Sequence, residues 1–145
     1  MDSARHVVID PLVTLASSLD YRDRADAGRC LAVFADIAQV RESLVALVLD
    51  TRDTYVTRAT AEAVLRRRDK AGYVVVARAL AASNDDQLAW IRTAATDVFG
   101  IYASERDAAV RECETLLGDA DERLRLGLRL LISELNALVP ILVPG

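Results

Sequence analysis

The sequence is poor in residues that interrupt a chain. Proline occurs only at positions 11, 140 and 144, and the 128 residues between Pro11 and Pro140 contain just five glycines. A β-sandwich or barrel needs Gly, Pro and Asn turns roughly every 8–12 residues, which this chain cannot supply. Aromatic residues are only 5% of the chain, so an aromatic-lined cofactor site is not expected, and no cofactor is. His6 is the single histidine. With no G-x-S-x-G nucleophile motif and no glycine-rich phosphate loop, no catalytic residue is expected and the chain does not read as an enzyme. Cys30 and Cys113 lie 83 residues apart with no Cys/His spacing around them, which leaves a metal site without support. Both read as small buried hydrophobes in a reducing compartment. A basic start followed by an apolar run is missing, as is any uncharged apolar stretch of about 18 residues, so neither a secretory leader nor a membrane span is expected and the location reads as cytoplasmic. Lysine is nearly absent: Lys70 is the only one among 18 basic residues. The charge balance, 18 − 22 = −4, argues against a general nucleic-acid binder.

What is present is helix-forming. Ala, Leu and Arg dominate, and 145 residues with 52% apolar content suffice for a single domain spanning 1–145. The two halves differ in charge. Residues 1–72 hold 11 basic and 11 acidic side chains, whereas 73–145 hold 7 and 11, so the net negative charge lies in the second half. Aspartates and a few glycines punctuate the chain, and clusters at 83–86 and 118–121 offer helix N-caps.

Three segments repeat: 57–65, 91–99 and 124–132. Each carries Arg in second place (Arg58, Arg92, Arg125), a small residue in fourth (Thr60, Ala94, Gly127) and an apolar pair at the end. Ile91, Ala94, Ala95, Val98 and Phe99 recur at i, i+3, i+4, i+7 and i+8, the signature of one helical face. A fainter first copy is read at 27–35, with Gly28 in the arginine place and Cys30 in the small place. Asp20, Asp53, Asp86 and Asp119 recur at intervals of 33. A second apolar helix follows each first one, at 40–49, 72–82 and 106–117. A lone pair of this kind leaves an apolar face bare, and stacking neighbouring pairs covers it. The small fourth residue would let adjacent first helices approach closely.

This pattern resembles the HEAT-repeat family of armadillo-type folds, in its short bacterial form, over residues 20–135. The resemblance implies a right-handed α-solenoid of about 3.5–4 helix pairs, with 1–19 as an N-terminal cap helix (read over 7–19) and 136–145 as a C-terminal tail. It further implies that second helices line a concave binding surface. Carried onto this chain, the polar positions of that surface are Arg41, Glu42, Lys70, Tyr73, Arg78, Arg111 and Glu114. The expected partner is a protein or peptide, held non-covalently. Two alternatives stand beside it: an immunity- or antitoxin-like inhibitor using the acidic second half against a basic partner, and a helical-repeat protein that binds nucleic acid and processes bases or acts on bilin chromophores.

Other features admit two readings. Arg58, Arg92 and Arg125 form either a structural ladder to Asp53, Asp86 and Asp119 or ligand contacts. The basic run 66–70 is either a solvated loop or a contact for an acidic partner. Trp90 is core packing or an interface anchor. The acidic helix carrying Glu105, Asp107, Glu112 and Glu114 is a solvated or a docking face. The apolar stretches 73–76 and 139–143 suggest that an open end of the array is capped or shared, which allows a homodimer.

Overall fold

The computed structural model describes residues 3–143. Among these the chain is all-α, with helices α1 (Ser3–Leu15), α2 (Tyr21–Leu31), α3 (Ala38–Val48), α4 (Thr54–Leu65), α5 (Lys70–Ala82), α6 (Asp85–Phe99), α7 (Ala103–Leu116) and α8 (Glu122–Ala137). The only β-type pairing among the described residues is an isolated parallel bridge between Tyr102 and Leu142. The cap helix ends earlier than its sequence suggests, at Leu15, and Pro11 sits in the helix interior rather than near its first turn. Pro11 is exposed there, so the carbonyl it leaves without a donor can be hydrated.

Side chains start most of the helices. Asp20 accepts from the Arg22 N–H, Asp53 from Tyr55, Asp69 from Gly72 and Asp121 from Leu124, while Asn84 and Gln87 form a reciprocal capping box. The aspartate period of 33 therefore drifts against the structure. Asp20 and Asp53 are caps, but Asp86 lies within the first turn of α6 and Asp119 in a 3-10 turn two residues before the cap of α8.

The repeated apolar faces are the core. Thr57, Thr60, Ala61, Val64 and Leu65 of α4 are buried, as are Ile91, Ala94, Ala95, Val98 and Phe99 of α6 and Leu124, Gly127, Leu128 and Leu131 of α8. The first copy has a different register from the one its sequence suggests. Arg24, Ala27, Gly28, Leu31 and Ala32 are the buried set, 33 residues before their α4 counterparts, and Cys30 is exposed. The copy is faint because an arginine occupies its leading apolar place. Arg24 is tolerated at 2% exposure because all three of its guanidinium nitrogens are engaged. Its Nε and Nη2 donate to Asp50 at 2.9 and 3.2 Å, and Nη1 donates to the carbonyls of Ser18 and Leu19 at 3.0 and 3.1 Å. Asp50 in turn accepts from the backbone of Arg52 and Asp53. One buried ion pair thus fastens the loops before α2 and after α3.

In one row, α2 packs on α4 and α4 on α6; in a second, α3 packs on α5. The next helix in that second row is α8, which lies along α5, while α7 pairs with α8 and touches α5 only slightly. The end of the molecule is therefore compact rather than a further pair in register. The cause lies in composition. α7 buries only Ala103, Ala109 and Cys113, whereas α8 offers Leu124, Leu128, Leu131 and Leu135 to cover the flank of α5. Gly127, expected to serve contact between first helices, instead faces α5: a Cβ there would collide with the Ala77 carbonyl. Gly28, read in the arginine place, rather than Cys30 makes the close approach between α2 and α4, where a Cβ would meet the Thr60 side chain.

Candidate binding groove

Three of the seven expected binding residues come together. A groove of about 510 Å³ between α3 and α5 is lined by Ala38, Arg41, Glu42, Val45 and Arg78. The helical spacing of 38, 41, 42 and 45 puts all four side chains of α3 on one outward face. Ala38 and Val45 supply an apolar surface, and the three charged residues surround it. Arg41 is steadied by donating to the Ala35 carbonyl at 2.9 Å. Arg78 lies 3.8 Å from Asp121, the cap of α8, an exposed and loose pair that leaves its guanidinium free to turn to a ligand. Glu42 is exposed and enters no ion pair among the described residues.

The remaining four are elsewhere. Lys70 is exposed at the start of α5. Arg111 and Glu114 are exposed on α7, which α8 has displaced from the second row. Tyr73 requires correction as a surface contact: it is 2% exposed and part of the core. Burial pushes its phenol pKa well above the ordinary range, with the nearby Cys113 adding to the shift. A tyrosine in the first turn of an amphipathic helix can face either way, and α5 turns this one inward.

The second row contains residues that sequence reasoning missed. A cleft of about 520 Å³ on α8 is lined by Glu122, Arg123, Arg125, Leu126 and Arg129. Leu126 is 52% exposed, with Arg123 and Arg129 one turn to either side. The sequence carries the signal, since Leu126 lies off the apolar face of α8, but the order of the helices places α8 in the other row.

The repeat arginines and the basic run bond mostly within the chain. Arg58 pairs with Asp97 at 2.8 Å and Arg92 with Glu134 at 2.7 Å, linking α4 to α6 and α6 to α8, while Arg125 donates to the Ala120 carbonyl at 3.0 Å. The ladder exists, but its acceptors are not the periodic aspartates. Within the basic run, Arg66 pairs with Glu62, Arg67 with Asp69 and Arg68 with Glu105. Arg67 also donates to the carbonyls of Ala32 and Val33, and Arg106 to those of Leu135 and Leu138. Satisfying a carboxylate or loose carbonyls with one planar fork is work that lysine performs poorly. Three aromatic–arginine contacts lie on the first-helix row. Arg22 lies over Tyr21, Arg29 over Tyr55 and Arg58 over the half-buried Trp90 at 6.0 Å.

The two cysteines differ. Cys113 is buried and its thiol is pushed up to about 12 by burial and the adjacent Glu112 and Glu114, while Cys30 faces solvent. Among the described residues, three or more His, Cys, Asp or Glu nowhere form a group that could hold a metal ion. No described helix is long and apolar enough to cross a membrane. The tail at 139–143 is held by backbone bonds to the α6–α7 turn: the N–H groups of Ile141 and Leu142 donate to the Gly100 and Ile101 carbonyls, and Ala103 donates to Leu142. Its outer residues Pro144 and Gly145 lie outside the described residues.

No protein-family model matches this chain. No curated protein matches it either. Among solved structures, the crystal structure of an engineered protein aligns with 89% of this chain and 62% of its own length, at 21% identity and a TM-score of 0.39. A likeness at that level carries no argument about fold or function.

Proposed function

We propose that the protein is a non-catalytic binding module that receives a protein or peptide segment on its second-helix row. In this reading the chain is a short HEAT-like array in which α8 takes the place beside α5 expected of α7. The binding surface is then α3, α5 and α8, and the residues that carry it are Arg41, Glu42 and Arg78. The observation behind the proposal is the α3–α5 groove, which combines an aliphatic floor with mixed charge from two helices. Such a surface suits a peptide, which offers side chains and backbone groups together.

Selection from a random peptide-display library tests this. Peptides enriched on the wild-type protein are expected to lose about tenfold or more in affinity on Arg41→Glu/Arg78→Glu. Equal binding to both proteins, or no enrichment at all, overturns the proposal.

A second reading concerns self-association. Ile101, Tyr102, Val139, Ile141, Leu142 and Val143 are each at least 44% exposed around the tail and the α6–α7 turn, an apolar end of the kind a dimer would cover. Light scattering after size exclusion gives twice the chain mass if this end is shared. The monomer mass at high protein concentration removes the reading.

A further inference from the structure

We infer that the second-helix row selects acidic peptide segments in which an apolar side chain is flanked by carboxylates; this rests on the proposed peptide-binding role of the α3–α5 groove. The protein is acidic overall, at −4, yet this row is not. Arg41 and Glu42 of α3 and Arg78 of α5 line the first groove. Arg123, Arg125 and Arg129 face Glu122 in the cleft of α8. The two sites adjoin through Arg78, which lines the first and reaches Asp121 at 3.8 Å, two residues before Arg123. Five guanidiniums therefore stand against three carboxylates.

The arginines of this row are largely uncommitted, as are Arg52 and Arg111 outside it, which enter no ion pair among the described residues. Arg123 and Arg129 are exposed and enter no ion pair among the described residues. Arg41 and Arg125 each donate to one backbone carbonyl and keep their remaining N–H groups. By contrast, the arginines of the first-helix row and of the run at 66–68 are tied to carboxylates at 2.7–3.1 Å. Free guanidiniums recognise carboxylates through paired hydrogen bonds.

The apolar component identifies the kind of anion. Ala38 and Val45 in the groove, and Leu126 between Arg123 and Arg129, call for an aliphatic side chain between the charges. Single-stranded nucleic acid would want aromatic stacking platforms, but Tyr21, Tyr55 and Trp90 lie on α2, α4 and α6. Glu42, Asp121 and Glu122 would also repel a continuous phosphate backbone, whereas a peptide can place its carboxylates between them.

Fluorescence anisotropy decides the matter, using a short fluorescein-labelled peptide of leucines flanked by glutamates. The controls are the same peptide with lysines replacing the glutamates and a labelled oligothymidylate. The acidic peptide is expected to bind tightest. Its affinity should fall about tenfold or more on Arg41→Glu/Arg78→Glu, and likewise on Arg123→Glu/Arg129→Glu, with unchanged helical circular dichroism. Equal or tighter binding of the lysine peptide or the oligonucleotide overturns the inference, as does indifference to Arg123→Glu/Arg129→Glu. If display-selected peptides need Arg41 and Arg78 but carry no acidic residues, the binding module stands and the acidic preference falls.

Discussion

The contacts of α2 with α4 and of α5 with α8 solve the same problem in different ways. Each brings two helices close through a glycine. At the first, Gly28 faces the side chain of Thr60, a group that can be altered. At the second, Gly127 faces the backbone of Ala77, which cannot move without displacing α5. The first contact stays within its row, while the second brings α8 into a row to which its sequence position does not assign it. A small residue in a repeat signals a close approach but does not name the partner helix.

The strongest way to break the N-terminal region is to remove the guanidinium that fastens it. Arg24→Ala leaves Asp50 buried and unpaired and should cost about 3–5 kcal/mol, measured by urea denaturation. The same pair sets an acid dependence. Burial raises the Asp50 pKa, but Arg24 and the N–H groups of Asp53 and Arg52 outweigh it and hold it below the ordinary carboxylate value. A carboxylate with a depressed folded pKa stabilises above its unfolded pKa, and that contribution disappears as pH falls through the folded one. Wild-type stability should therefore drop below about pH 4, and the Asp50 share of that drop should vanish in Asp50→Asn. An acid profile identical in the two proteins would contradict it.

Next in size is the comparison of the glycines themselves. Gly127→Ala forces α5 and α8 apart and should lose about 1–3 kcal/mol or more, despite the better helix propensity of alanine. Gly28→Ala should lose less, and Thr60→Ala should recover it. The Thr60 hydroxyl is buried with no hydrogen-bond partner, so removing it also relieves an unsatisfied group. Thermal melts of the three variants and of the Gly28→Ala/Thr60→Ala pair provide the double-mutant cycle, and strict additivity would refute the contact.

Smaller effects sharpen the contrast. Arg92→Ala breaks a pair whose arginine side chain is 54% exposed and should cost no more than about 1 kcal/mol, far below Arg24→Ala. The smallest test leaves the protein unmodified. Ellman's reagent should titrate Cys30 promptly in the folded protein and Cys113 only on unfolding. Two prompt thiols would mean that α7 is not packed as described.

How much of this was legible in the sequence depended on whether a signal was local. The apolar periods of α4, α6 and α8 fixed the helical faces, because burial follows the 3.6-residue repeat. The register of the first copy was not legible, since Arg24 looks polar until Asp50, 26 residues away, is placed beside it. The acceptors of Arg58 and Arg92 were likewise missed, because Asp97 and Glu134 lie 39 and 42 residues on, outside the aspartate period. The groove residues Arg41, Glu42 and Arg78 could be named because α3 and α5 are successive second helices. The cleft at Arg123, Leu126 and Arg129 could not be, because α8 belongs by order to one row and by packing to the other.

That crossing has a mechanical consequence. A linear stack held only by neighbours can peel from its end, one hairpin at a time. Here the last helix is clasped against one three places earlier in the chain, while α6 packs on α4 and α7 on α8. Loss of α8 strips the apolar flank of α5 and takes away the main partner of α7. Amide exchange in α5 through α8 should accordingly proceed as one cooperative block, with no gradient of protection along it.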